Sequence, residues 1–193
     1  MQYKVVGILG RRGSCKSLLA VVYLYQYYKL GKTIYSNIWL NFPYKKFTLD
    51  MLSTMPDELR NSVILIDEVQ KWADAYRFFA KDSIALSNFV TQIRKLKVTL
   101  IITTQFARHT IVRLRDQFDN IIIMERASEN DGIAFGTVLD ATMPEGDDFV
   151  SDFYFDGRSY FDMYDTNEIV YGRDEALVKK TLLKPLTKTA IIK

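Results

Sequence analysis

The sequence is short of the features that would take it out of the ordinary globular class. Its 193 residues include one cysteine, Cys15, which excludes an internal disulfide and a cysteine-rich metal site. A single cysteine suits a reducing compartment, and a cytoplasmic protein is expected. Nine glycines and four prolines, against twelve tyrosines and twelve phenylalanines, exclude a disordered composition. No stretch approaches the roughly 18–20 uninterrupted apolar residues that span a bilayer. The start, Met1-Gln2-Tyr3-Lys4, leads straight into a strand-like run and has no signal-peptide layout, so a soluble chain is expected. Strong charge of one sign is missing too. A net charge of +3 does not mark a nucleic-acid-binding protein, and any basic patch has to be local.

What is present is a repeating strand–helix pattern. Val5 to Leu9 reads as a buried strand followed by a glycine-rich turn. Ser17 to Leu30 has apolar residues at helical spacing, with Gly31 where a helix stop is expected. Thr33–Trp39 reads as a second strand and Thr48–Leu59 as a helix. Val63-Ile64-Leu65-Ile66 is continuously apolar, as a strand buried on both faces must be. Ser83–Lys95 reads as a helix, and Val98–Ile102 and Asn120–Met124 as strands. Alternation of this kind predicts a three-layer α/β fold with a mostly parallel central sheet. Beyond it, Ile133–Leu139 reads as a strand, and Phe149 to Tyr164 as a hairpin turning at Asp156-Gly157. Residues 1–177 are therefore expected to form one domain, with a motif-bearing core (1–126) and an antiparallel, β-rich extension (127–177). Residues 178–193 form a tail with five lysines and no acidic residue.

Three motifs carry chemistry. Gly10-Arg11-Arg12-Gly13-Ser14-Cys15-Lys16-Ser17 follows the phosphate-loop pattern G-x-x-x-x-G-K-[ST] except at its second glycine, where Cys15 stands. In such a loop successive backbone N–H groups converge on phosphate oxygens, and the helix N-terminus adds partial positive charge. Nucleotide contacts are expected from Gly10 through Leu18. Lys16 would sit on the β- and γ-phosphates of ATP, and Ser17 would offer its hydroxyl to Mg²⁺. The position of Cys15 tends to positive φ, where a residue other than glycine costs about 1 kcal/mol or more.

The second motif, Asp67-Glu68, ends the most buried strand, at the sheet edge where ligands gather in open α/β folds. Asp67 would hold Mg²⁺ and Glu68 would polarise the attacking water. The third, Thr103-Thr104-Gln105, ends the strand expected between the loop strand and the acid strand. Gln105 there could touch both the γ-phosphate and the water. Among the arginines flanking that strand, Arg94 is the first candidate for a finger supplied to a neighbouring subunit, ahead of Arg115, Arg108 and Arg113.

The order of these motifs, the loop, then Ile66-Asp67-Glu68, then Arg94-Lys95-x-x-Val98-x-Leu100-Ile101-Ile102-x-Thr104-Gln105, resembles the FtsK/HerA superfamily of P-loop motor ATPases over about residues 3–126. Short members of that group include viral genome-packaging ATPases and the Zot-like proteins of filamentous phages. The resemblance implies an ATP-hydrolysing translocase of double-stranded DNA working as a homo-oligomeric ring, with a hexamer as the candidate size. A capsid or membrane-shell protein would be a further partner, and the host cytoplasm the location if the chain is viral. DNA contacts are expected from Lys71, Arg77, Lys81 and the lysine tail, with Trp72, Tyr76, Phe78 and Phe79 interleaved. Three other readings stay open: a nucleotide-dependent assembly or secretion factor, a small-molecule kinase, and a non-hydrolysing binding module.

Overall fold

A parallel sheet buried on both faces needs strands that are apolar throughout, and the chain supplies several. A computed structural model describes residues 4–70, 79–105, 116–126, 132–142 and 148–165. In chain order the elements are β1 (Val5–Leu9), α1 (Lys16–Lys29), β2 (Thr33–Ser36), β3 (Lys45–Lys46) and α2 (Leu49–Thr54), followed by a short 3₁₀ turn (Asp57–Leu59). Then come β4 (Ser62–Ile66), α3 (Phe79–Leu96), β5 (Thr99–Thr104), β6 (Asn120–Arg126), β7 (Ile133–Asp140), β8 (Asp148–Asp156) and a 3₁₀ helix (Arg158–Met163). The eight strands form one sheet in the order β3-β2-β4-β5-β1-β6-β7-β8. From β3 to β6 every pairing is parallel, and β7 and β8 add antiparallel strands at one edge. The α/β class, the parallel core and the antiparallel extension are as the sequence implies. No helix among the described residues is long and apolar enough to cross a membrane.

Two apolar layers sandwich the sheet. Val63 and Leu65 of β4 face the layer that α1 covers, while Ile64 and Ile66 face the layer shared with α2 and α3. Side chains alternate across a strand, so one continuous apolar run serves both layers. Each fully buried Ile or Leu contributes about 1.5–3 kcal/mol relative to leaving it exposed. That burial fixes β4 and β5 rigidly, and the polar ends of both strands are held with them.

Three local expectations need correction. The helix expected over Thr48–Leu59 is broken in two. Met55 closes α2 with left-handed φ 43°, and Pro56, extended at φ −63° and ψ 144°, has no N–H with which to continue it. The strand expected over Thr33–Trp39 stops at Ser36. The hairpin at Asp156-Gly157 does not form: β8 pairs with β7, and Arg158–Met163 is helical. The Gly157 N–H, which a hairpin would use locally, donates instead to Gly132 O at 2.8 Å. The Asp156 carboxylate accepts the Arg158 N–H at 3.1 Å and its guanidinium at Nε (2.9 Å) and Nη2 (2.6 Å), which starts a helical turn. A Cβ on Gly157 would lie 2.4 Å from Leu18 Cδ2, so the chain after β8 folds back onto α1.

This turn has a titration signature. Hydrogen bonds from the Arg158 side chain, then from its backbone N–H, hold the Asp156 carboxyl down at about 2. Its folded pKa is depressed, so its contribution to stability is present above the ordinary carboxylate range and is lost as pH falls through about 2. Carbon-13 NMR titration should place Asp156 near 2 in the wild type and move it upward in Arg158→Ala. An Asp156 that titrates normally in the wild type would refute the turn.

Candidate active site

The loop after β1 is shaped by close backbone approach. Gly10 has φ 155°, and a Cβ there would lie 2.3 Å from Met124 O of β6 and 2.5 Å from Ser14 Oγ. Only glycine lets the loop leave the sheet by this path. The loop then closes on a single carbonyl. Arg11 O accepts Ser14 N–H (3.2 Å), Ser14 Oγ (2.8 Å) and Lys16 Nζ (2.9 Å). Gly13 has φ 79°, with nothing within 4 Å of where its Cβ would be. Cys15 is left-handed at φ 61° and ψ 19°, so it occupies the backbone slot that the pattern reserves for glycine. Its carbonyl opens α1 by accepting Leu19 N–H at 2.9 Å. The first turn of α1 holds no acidic residue, so the partial positive charge of the helix N-terminus has no anionic side chain beside it on its own helix. Arg11, Arg12 and Gly13 are exposed, while Ser14, Lys16 and Leu18 are buried.

The acid pair meets this loop. In the order β4-β5-β1, the ends of all three strands share one edge. Ser17 Oγ donates to Asp67 Oδ1 at 2.7 Å. Thr103 Oγ1 donates to the same oxygen at 2.7 Å and accepts the Glu68 N–H at 2.8 Å. On the other side Asn37 brackets Asp67. Its Oδ1 accepts the Asp67 N–H at 2.7 Å and its Nδ2 donates to Asp67 O at 2.9 Å. Glu68 follows with φ 49°, a left-handed turn directly after the metal candidate.

Burial sets the electrostatics. Asp67 is only 5% exposed. Desolvation pushes its carboxyl up, opposed by the Ser17 and Thr103 hydrogen bonds, with Glu68 adding to the rise and Lys16 opposing it. Desolvation pushes the Lys16 ammonium down, opposed by Asp67, Glu68 and Cys15. The donor set beside the loop, a hydroxyl and a carboxylate, is all oxygen and suits a hard cation. No group of three His, Cys, Asp or Glu that could hold a metal gathers among the described residues. Two such ligands fit a hard cation of the Mg²⁺ type, which keeps other oxygen ligands around it.

Of the residues expected from sequence, the loop, Asp67 and Glu68 come together. Gln105 lies just past β5 at the same edge and is partly buried. Arg94 is elsewhere. It sits in the last turn of α3 with Nη2 2.8 Å from Asp119 Oδ1, and Asp119 Oδ2 accepts the Val5 N–H at the opposite end of β1. It does not reach the loop of its own chain. Arg108, Arg113, Arg115, Lys71, Arg77, Trp72, Tyr76, Phe78 and the lysine tail lie outside the described residues, as do the side chains of Phe79 and Lys81.

Sequence reasoning missed Asn37, the clasp made by Thr103, and Tyr164. Neither Asn37 nor Tyr164 had a readable signal: Asn37 falls inside the strand expected over Thr33–Trp39, and Tyr164 arrives from a segment remote in sequence. Its phenol is pushed up to about 12, first by burial and then by the nearby Asp67 and Cys15.

No protein-family model and no curated protein sequence matches the chain. Solved structures do. The N-terminal domain of zonular occludens toxin from Neisseria meningitidis is 16% identical at a TM-score of 0.59, over 86% of this chain and 100% of that one. The genome packaging NTPase B204 from Sulfolobus turreted icosahedral virus 2, in complex with sulfate, is 16% identical at 0.53, over 80% and 96%. The pCW3 conjugation coupling protein TcpA, in its monomer form with ATPγS, is 15% identical at 0.55, over 83% and 63%. At these identities the likeness is one of fold: the chain shares the mostly parallel α/β fold of these P-loop structures.

The loop geometry makes an ordered prediction. Gly10→Ala combines a left-handed backbone with a clash against Met124 O, and should cost more than about 2 kcal/mol. Gly13→Ala carries the conformational term alone, about 1–2 kcal/mol. Equal losses in denaturant unfolding would show that the Met124 carbonyl does not shape the loop.

Proposed function

We propose that this chain is an ATP-hydrolysing DNA translocase that packages viral genomic DNA into a capsid, acting as a homo-oligomeric ring. The observation that carries the catalytic half of this reading is the 2.7 Å contact between Ser17 Oγ and Asp67 Oδ1 at the N-terminus of α1. It brings a helix-start hydroxyl and a strand-end carboxylate together beside Lys16, the constellation a nucleoside triphosphate needs. Backbone N–H groups of residues 13–18 bind the phosphates. Lys16 Nζ is 2.9 Å from Arg11 O, and a β- or γ-phosphate oxygen would give the ammonium a charged partner in that place. Ser17 and Asp67 would hold Mg²⁺, which when bound supplies charge neutralisation for the phosphates. Glu68, oriented through its N–H on Thr103, takes the proton of the attacking water, and Gln105 orients that water.

The DNA half rests on the company the fold keeps. One solved structure of this fold is named a genome packaging NTPase and another a conjugation coupling protein. In a ring, Arg94 would act on a neighbour, a reading that two observations support. Its side chain is 73% exposed, and it lies at the sheet edge away from its own loop. A capsid or membrane-shell protein is the proposed docking partner of the assembly. A second reading, a Zot-like virion assembly or secretion factor, is favoured by one observation: the zonular occludens toxin domain is matched over its whole length.

ATPase measurement with and without double-stranded DNA separates these readings. The translocase should be stimulated by DNA, with the stimulation fading as salt rises. Hydrolysis that ignores DNA, with no retention on DNA at low salt, would sink it and favour the second reading. ATP consumed only with a metabolite acceptor would mean a kinase. Lys16→Ala should weaken nucleotide binding by about 10- to 100-fold. Glu68→Gln should keep ATP bound while lowering kcat by at least about 100-fold. Unchanged turnover in Glu68→Gln would remove Glu68 from the mechanism.

A further inference from the structure

β2 ends at Ser36, whose ladder partner on β4 is Leu65. Two residues past Leu65 and just beyond the end of β4, the backbone of Asp67 reaches past the last main-chain partner that β2 offers. The Asn37 side chain takes over there. Its amide oxygen accepts the Asp67 N–H at 2.7 Å and its amide nitrogen donates to the Asp67 carbonyl at 2.9 Å. A carboxamide presents one donor and one acceptor in a fixed fork, so it mimics a further residue of strand pairing. The backbone of β2 is meanwhile free to turn away, and Ile38 N–H bonds back to Ser36 Oγ at 3.1 Å.

Two clasps thus hold the acid pair from opposite sides. Thr103 on β5 takes the Asp67 carboxylate and the Glu68 N–H, and Asn37 takes both backbone groups of Asp67. Asn37 is itself anchored. Ile38 and Leu40 are buried in the layer under α1. Asn41 N–H donates to Met163 O at 2.8 Å, and Leu40 forms an antiparallel bridge with Tyr164. The segment after the C-terminal 3₁₀ helix therefore straps down the segment that carries Asn37.

We propose that Asn37 is a positioning residue that fixes Asp67 and Glu68 relative to Ser17, and that residues 163–164 hold it in register. This rests on the nucleotide and cation reading of the site. Loss of the clasp leaves the loop free to bind phosphate but lets the carboxylates drift from the cation. Partners of this kind, bonded to metal ligands, typically alter metal affinity or activity by about 10- to 100-fold.

The test uses the full chain and three measurements on Asn37→Ala and Asn37→Asp. Asp keeps the acceptor for the Asp67 N–H and loses the donor to its carbonyl. The first measurement is ATPγS affinity in EDTA and in Mg²⁺. Affinity in EDTA should stay within about twofold of wild type, while the gain on adding Mg²⁺ falls about tenfold in Asn37→Ala and less in Asn37→Asp. The second is the kinetic split, in which kcat falls about tenfold or more while KM for ATP in Mg²⁺ rises by no more than the loss of Mg²⁺-dependent affinity, about tenfold. The third is amide exchange at Asp67 without nucleotide, which should quicken in Asn37→Ala and be partly restored in Asn37→Asp. Wild-type Mg²⁺ dependence and wild-type exchange in Asn37→Ala would overturn the proposal. So would an affinity loss that is equal in EDTA and Mg²⁺, the mark of general damage. If Asn37→Ala does not fold, Asn37→Asp carries the same comparison. A wild type that binds no nucleotide would sink the functional reading by itself, while the exchange measurement would still decide whether Asn37 holds Asp67.

Discussion

The hydrogen bond between Ser17 and Asp67 is the constraint on which the site depends. Its two ends follow β1 and β4, strands separated by β5 and about 10 Å apart at ordinary strand spacing. Bridging that gap requires α1 to start over the sheet edge and β4 to end close to the end of β1. The parallel register supplies the second condition: Ile66 lies beside Ile102 and Ile102 beside Gly7, so β4 ends two residues before the level of Leu9. The first follows from Gly10, whose missing side chain lets the chain pass against Met124 O and turn into the helix. A shift of one residue in either strand would invert every side chain and break the contact.

The same contact explains how a carboxylate can be stored in an apolar setting. Asp67 follows a run of fully buried aliphatics, and an isolated charge there would be costly. Ser17 and Thr103 both donate to one of its oxygens, and Lys16 lies close enough to oppose the rise in its pKa. The opposed shifts of Asp67 and Lys16 describe one arrangement: two groups that burial disfavours, each partly stabilised by the other. Donors aligned in advance by a rigid sheet do not have to reorganise when charge arrives, which is what phosphate chemistry asks of a site. The stability offset comes from the two apolar layers, which is why the acids sit at the end of the best-buried strand.

How much could be read from the sequence follows from the range of each interaction. The loop, β4 and β5 are local patterns, and the strand order placing Thr103 between Leu9 and the acids is the one expected for these motifs. The left-handed Cys15 followed from the loop pattern alone. Errors came where a local signal met a distant partner. Asp156-Gly157 has the composition of a hairpin turn, yet its backbone donor is taken by Gly132 and its carboxylate by Arg158. Thr48–Leu59 carries helical spacing, but Pro56 decides its fate. Arg94 is a different case: its place before β5 makes it a candidate finger, and the fold adds its pairing with Asp119 at the far end of the sheet. Asn37 and Tyr164 contribute through contacts with residues remote in sequence, which spacing does not encode.

The C-terminal third, which the motifs leave unexplained, is joined to the site through packing. Phe155 of β8 is buried in the layer under α1, and Gly157 presses its backbone against Leu18 in the first turn of that helix. The chain then crosses to Leu40 and Asn41, and through them to Asn37 and the backbone of Asp67. One path reaches the phosphate loop from the helix side and the other reaches the acids from the β2 side. Both start from the turn that Asp156 and Arg158 lock. The antiparallel strands therefore do more than lengthen the sheet: they place a strap across the two elements that must stay in register for Ser17 to meet Asp67. Packed residues and hydrogen bonds thus run from the β7–β8 edge to the acid pair, and the last polar link in that route is the amide of Asn37.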